Sequence, residues 1–205
     1  MTLSGQASTV AALMAVDPVG LGGVALRARA SLARDQWLQM LRQLLPSGLP
    51  FRRVPLHVDD SRLLGGLDLA ATLRRGRPVA QTGLLAQSDG GVAVLASAER
   101  LGNATAARLA QVLDTGEAVM ERNGLSLRHA ARLGLVALDE GSTDDEQLSG
   151  KLLDRMAFHL HLADATDVDS LVAPPGVDAA AIVAARALLP QVLASEAVVQ
   201  ALCDA

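Results

Sequence analysis

The 205-residue sequence contains a single lysine, Lys151, and a single cysteine, Cys203. It has no tyrosine, and its aromatic side chains are Trp37, Phe51 and Phe158 alone. Each shortage removes a class of function. One cysteine excludes an internal disulfide framework and a cysteine-based zinc cluster. Aromatic residues at 1% supply no stacking platform for bases or sugars, so the core has to be built from Ala, Leu and Val. A net charge of −4 and an isoelectric point near 5.5 leave no bulk positive field to hold a nucleic acid. No apolar run approaches the roughly 20 residues that span a bilayer, and no basic segment precedes a signal-like core. The expectation is a soluble, cytoplasmic protein with no nucleic-acid partner and no membrane span.

What is present is a chain that is 50% hydrophobic and 20% charged, enough for one ordinary core and a small appendage. Its organising stretch is Asp17-Pro18-Val19-Gly20-Leu21-Gly22-Gly23-Val24, a glycine-rich turn beside the apolar run Val24 to Arg29. A phosphate-binding loop needs glycines so that backbone N–H groups face the anion. It also needs a lysine for the β- and γ-phosphates and a hydroxyl for Mg²⁺. Gly20, Gly22 and Gly23 supply only the first, so the turn reads as a degenerate phosphate-loop position. A dinucleotide turn fails as well, because these glycines lead into a strand rather than opening a helix.

Taken in order, residues 6–15 read as a short Ala-rich helix, followed by a strand at 24–29 in which Arg27 and Arg29 share a face. Ser31 caps a helix carrying Trp37, Leu38, Leu41, Leu44 and Leu45 at helical spacing, ended by Pro46-Ser47-Gly48. Residues 51–58 read as a strand whose proline places it at an edge or a strand end. Of the adjacent Arg52 and Arg53, at least one faces solvent. Asp68 to Arg75 is a helix stopped at Gly76, and 78–85 a small hairpin or loop insert. Gly90-Gly91 launches a strand at 92–96. Thr105 caps a helix through Leu113, ended by Gly116. Strands follow at 125–128 and 133–138, the second apolar on both faces and so central. A polar loop at 141–147 leads to a helix at 148–156 and a half-buried strand at 158–162. Pro174-Pro175-Gly176 is a linker, and helices at 178–189 and 195–204 are separated at Pro190. Strands alternating with helices, then a helical tail, define an α/β domain followed by the start of a helical one. The expected boundaries are 1–172 and 173–205, and the uncapped apolar end suggests a fragment of something longer.

Several segments together resemble one family. Gly65-Gly66-Leu67-Asp68-Leu69, Gly83-Leu84-Leu85-Ala86, Gly91-Val92-Ala93-Val94-Leu95, Glu121 to Arg128 and Leu152-Leu153-Asp154-Arg155 are similar in order and spacing to the AAA+ subunits of magnesium chelatase. The active ATPase subunit of that family has a full Walker A motif in front and an Asp-Glu pair after the central strand. Here the pair falls on Ala96 and Ser97, the Walker A lysine on or beside Gly23, and its hydroxyl residue on Val24. The sensor asparagine is missing, with Asp139-Glu140 nearby. This profile resembles the family's D subunit, whose AAA+ module is degenerate. The resemblance covers nearly all of residues 10–205 and implies an AAA+ type sheet with helices on both faces, followed by a helical lid. It also implies a non-hydrolysing subunit in a hetero-oligomeric ring with the ATPase (I) subunit, working with the large porphyrin-binding (H) subunit. The reaction implied is ATP-dependent insertion of Mg²⁺ into protoporphyrin IX, with ATP and Mg²⁺ bound mainly by the partner. A MoxR-like remodelling protein and a subunit of a related cobalt chelatase stay open as alternatives.

The resemblance further implies that Arg155 is an arginine finger, reaching ATP held by a neighbour; such residues are worth about 10³–10⁵ in rate in other NTPases. On residues alone, an ion pair of Arg155 with Asp154 or a carboxylate of 144–146 is the favoured reading, and the resemblance reverses that preference. His159 and His161 lie on one strand face but lack a third ligand, so no metal site is expected. Asp59-Asp60 and Asp144-Asp145-Glu146 read as solvated acidic runs, and Cys203 as a packing residue.

Overall fold

The structure is a computed structural model that describes residues 3–122, 125–143, 145–162 and 173–204. In chain order the elements are α1 (Leu3–Val16), β1 (Gly23–Arg27), α2 (Leu32–Leu44), β2 (Phe51–Val54), α3 (Asp60–Leu63), β3 (Gly65–Leu67) and α4 (Leu69–Arg75). They continue with β4 (Ala80–Thr82), β5 (Val92–Leu95), α5 (Asn103–Thr115), β6 (Glu117–Arg122), β7 (Leu125–Ala130) and β8 (Gly134–Asp139). The last four are α6 (Gly150–Leu153), β9 (Phe158–His161), α7 (Ala179–Leu188) and α8 (Glu196–Cys203).

Five strands form one sheet in the order β2-β5-β8-β1-β9, every neighbour parallel. Parallel strands are covered on both faces, and the alternation along each strand shows which side chains go where. Val24, Leu26, Val92, Val94, Val136, Leu138 and Leu160 point into one apolar layer with α1, α2 and α7. Ala25, Ala93, Leu95, Leu135 and Ala137 point into the other, with α5 and residues around α6. β8 is buried at all six positions, which is the central placement its apolar run predicts. β2, at the edge, is buried only at Val54 and leaves both Arg52 and Arg53 exposed. It ends before Pro55, which has no N–H to continue a ladder.

The helices start and stop for identifiable reasons. Ser31 accepts a hydrogen bond from the Arg34 N–H at the head of α2, as its position predicts. Trp37 of that helix is fully buried and donates from Nε1 to the Ala7 carbonyl of α1 at 2.8 Å. Ala7, Ala11 and Ala15 give α1 a smooth inner face that lets the two helices approach. Asp68 caps α4 and a left-handed Gly76 ends it. Arg186 of α7 donates to the Ala15 and Val16 carbonyls, closing the carboxyl end of α1 with a positive charge.

Several expectations change. Gly102, not Thr105, stands at the head of α5, which starts two residues earlier than Thr105. The helix expected at 148–156 is the single turn 150–153. Residues 78–85 contribute β4, which pairs antiparallel with β3 around α4 rather than folding on itself. The strand at 125–130 pairs with Glu117–Arg122, a strand that the mixed composition of those residues hides. β1 ends at Arg27, so Arg29 lies beyond it and is exposed, off the face it was expected to share. Cys203 is exposed, not packed.

Candidate functional site

In a parallel sheet every strand ends on the same side, and phosphates bind at the carboxyl ends, where a strand turns into a helix amino terminus. That step is made here by β1, the turn Ala28-Arg29-Ala30-Ser31 and α2. The turn holds four residues and no glycine. Ser31 spends its side-chain oxygen on its own helix.

The glycines expected at this position lie at the opposite end. Gly20 and Gly22 precede β1, and Gly23 is its first residue, opposite Leu135 in the ladder. Their N–H groups are already taken, Gly20 by the Asp17 carboxylate at 2.8 Å, Gly22 by the Val19 carbonyl and Gly23 by the Leu21 carbonyl. The degenerate phosphate-loop assignment for Gly20, Gly22 and Gly23, and the Walker A lysine position on Gly23 and Val24, are therefore corrected. A glycine turn beside an apolar strand reads alike at either end of the strand.

The carboxyl ends of β1, β5 and β8 are closed by a network of charges. Arg34, from the first turn of α2, forms an ion pair through Nη1 with Glu140, just past β8. The other Glu140 oxygen accepts from the Ser97 hydroxyl at 3.0 Å, and its backbone N–H is held by Glu99. Ser97 is the one described non-glycine residue with positive φ, at 48°. Arg27 donates to the Thr143 and Gly141 carbonyls and lies 3.8 Å from Asp139. The residues present do not fit a bound nucleotide with its Mg²⁺: the only lysine is remote, the turn has no glycine and is too short to wrap phosphates, its hydroxyl is spent on the helix cap, and Arg27 and Arg34 are already engaged.

Arg155 stands at the amino ends of the strands, between α6 and β9. Its Nε and Nη2 each donate to one oxygen of Asp114 at 2.7 Å, and Nη1 donates to the Lys151 carbonyl at 2.7 Å. The partner is thus Asp114, in the last turn of α5, rather than Asp154 or the 144–146 run. The hydrogen bonds from Arg155 hold the Asp114 carboxyl below the usual carboxylate range, and Asp114 in turn raises Arg155. The Arg155 side chain is 33% exposed.

The remaining candidates are structural. His159 and His161 are exposed on β9, and the His159 Nε2 donates to the Leu153 carbonyl at 3.2 Å. No group of three metal-ligating side chains occurs among the described residues. Asp59 caps α3, Asp60 pairs with Arg108 at 2.8 Å, and Glu146 accepts from the Ser142 N–H. Asp144 lies outside the described residues. Among the described residues no single helix is long and apolar enough to cross a membrane.

An all-parallel sheet covered on both faces, with its strand–turn–helix step at β1 and α2, defines an AAA+ type α/β fold. A solved structure of the complex between subunits BchI and BchD of magnesium chelatase has this fold, with a TM-score of 0.61 and 26% identity over 90% of this chain and 65% of that one. No protein-family model matches the sequence. The magnesium-chelatase 60 kDa subunit of Rhodobacter capsulatus is 39% identical over 183 residues, 88% of this chain and 29% of that protein. The corresponding subunit of Cereibacter sphaeroides is 45% identical over 150 residues, 73% of this chain and 23% of that protein. The chain belongs with the magnesium-chelatase D-type subunits, as its sequence segments indicate, and spans less than a third of the length of these relatives.

Proposed function

We propose that this chain is the non-hydrolysing AAA+ part of a magnesium chelatase, a ligase that forms nitrogen–metal bonds. In this reading it assembles in a cytoplasmic hetero-oligomeric ring with the ATPase subunit. It supports ATP-dependent insertion of Mg²⁺ into protoporphyrin IX held by the large porphyrin-binding subunit. ATP and its Mg²⁺ sit on the partner. Residues 1–172 form the degenerate AAA+ domain and 173–205 belong to a helical lid.

The observation that carries the reading is the contrast between a carboxyl end with a short, glycine-free turn in place of a phosphate loop and a part-exposed arginine at the amino end. Without a site for its own nucleotide, the chain contributes to hydrolysis by placing Arg155 against phosphate bound next door. Positive charge delivered there stabilises the charge that builds on the transferred phosphoryl group. A related remodelling ATPase is disfavoured by the same contrast, since it would need the carboxyl end for its own ATP.

Reconstitution tests this. Mg²⁺ insertion, followed by the loss of protoporphyrin IX fluorescence, is expected to require this protein together with the ATPase and porphyrin-binding subunits. This protein alone is expected to release no phosphate from MgATP. Full insertion activity without it, or phosphate release by it alone, would overturn the proposal.

A further inference from the structure

The glycine turn has lost its expected role, yet its geometry is demanding. Gly22 has φ +66°, and a Cβ placed there would overlap the Arg155 carbonyl oxygen. One residue earlier, the Leu21 carbonyl accepts the Ala157 N–H at 3.0 Å. The turn is itself fixed, because Asp17 holds the Gly20 N–H and the Asp17 carbonyl accepts the Leu21 N–H. The backbone from the Arg155 carbonyl to Ala157 therefore rests on residues 21 and 22, and only glycine at 22 leaves room for it.

The Arg155 side chain is seated separately. A guanidinium has five N–H donors in a fixed fork. Three are spent, two on Asp114 and one on the Lys151 carbonyl. The remaining two lie on the Nη atoms, which is the number a bidentate contact to a phosphate needs. A lone arginine on a short turn would sample many rotamers. Gripped by a carboxylate along its Nε edge, it presents a preset pair of donors at an entropy cost already met in folding.

We infer that Gly22 and Asp114 are positioning residues that together seat Arg155 for contact with an anionic phosphate group on a neighbouring subunit. The inference rests on the proposed function, because it assumes that Arg155 acts in trans. It adds that the glycine turn before β1 is the backbone support for that arginine, and that α5 supplies the grip.

Steady-state ATP hydrolysis by the ATPase subunit, in complex with this protein, separates the two levels. Asp114→Asn keeps the size of the side chain and removes its charge. The expected result is roughly a 10- to 100-fold loss of stimulated kcat, in keeping with the cost of misplacing a group by about an ångström. KM for ATP and the mass of the complex in sedimentation should stay unchanged. Asp114→Glu should recover part of the loss. In an Arg155→Ala background, Asp114→Asn should cost nothing further, since the two residues act as one unit. Gly22→Ala should reproduce the kcat loss if it folds, and Asp114→Asn carries the test if it does not. An undiminished rate with Asp114→Asn, or an additive loss in the double variant, would overturn the seat while leaving a trans role for Arg155. An undiminished rate with Arg155→Ala would overturn the trans role itself.

Discussion

The two ends of the central sheet have been put to opposite uses. At the carboxyl ends of β1, β5 and β8, Arg34 and the Ser97 hydroxyl are turned onto Glu140, and Arg27 onto Asp139 and two loop carbonyls, while Arg29 of the connecting turn faces solvent. At the amino ends, the glycine turn and α5 hold one arginine half-exposed with two donors to spare. The first end resembles a site whose ligand has been replaced by side chains. The second resembles a fitting made for another molecule. On the proposal that Arg155 acts in trans, one fold loses its own chemistry and keeps a part in its neighbour's, because the two depend on different ends of the same strands.

This contrast can be broken from either side. The largest expected effect on stability is at the closed end. Glu140→Ala takes the close partner from the Arg34 guanidinium, whose side chain is 12% exposed, leaves it only Asp35 at 3.6 Å, and frees the Ser97 hydroxyl. A loss of about 2–3 kcal/mol in urea unfolding is expected, with the stimulated rate of the partner unchanged once the protein is folded. A loss near zero would mean that the network is surface decoration. Next comes Gly22→Ala. Forcing an alanine into the left-handed region costs about 1–2 kcal/mol, and the overlap with the Arg155 carbonyl adds to it. A lower melting temperature accompanied by a lower stimulated rate would tie the turn to Arg155, and a gain in stability would refute the packing.

The smallest effect is on the acid side. Asp114 is held below the usual carboxylate range by the hydrogen bonds from Arg155. A carboxyl whose folded value is depressed contributes stability that is present above its unfolded value and is lost as the pH falls through the folded one. The pair should therefore survive at neutral and mildly acidic pH and open only below the ordinary aspartate range. Nitrogen-15 spectra of the Arg155 Nε–H across an acid titration would show this. A signal that disappears between pH 6 and 5, by roughly the histidine range, would point to another group as the partner.

The two ends also differ in how far the sequence exposes them. The sheet was legible because its strands are short apolar runs bounded by glycines, and because Ser31, Asp68, Gly76 and Gly116 mark helix ends by chemistry that does not depend on tertiary context. β6 escaped notice because Glu117, Glu121 and Arg122 break up its apolar alternation. The glycine turn was visible but misassigned, since glycines signal a tight backbone and not which end of a strand they serve. Arg155 was singled out as a candidate through the resemblance carried by Leu152-Leu153-Asp154-Arg155. Its grip was not, because Asp114 lies 41 residues earlier and meets it only when α5 runs back along the sheet. The Arg34–Glu140 pair spans 106 residues and was beyond reach for the same reason.

The central claim is that Arg155 acts on nucleotide held by the partner, and one measurement addresses it directly. The ATPase subunit, loaded with radiolabelled ATP, is mixed with wild-type or Arg155→Ala protein, and a single turnover is followed by rapid quench. Complex formation is checked in the same samples by sedimentation. The account predicts that Arg155→Ala binds as the wild type does and lowers the single-turnover rate by about 10³-fold or more, the range known for arginine fingers supplied in trans. Equal rates from two equally bound complexes would contradict it and leave Arg155 as a surface ion pair with Asp114.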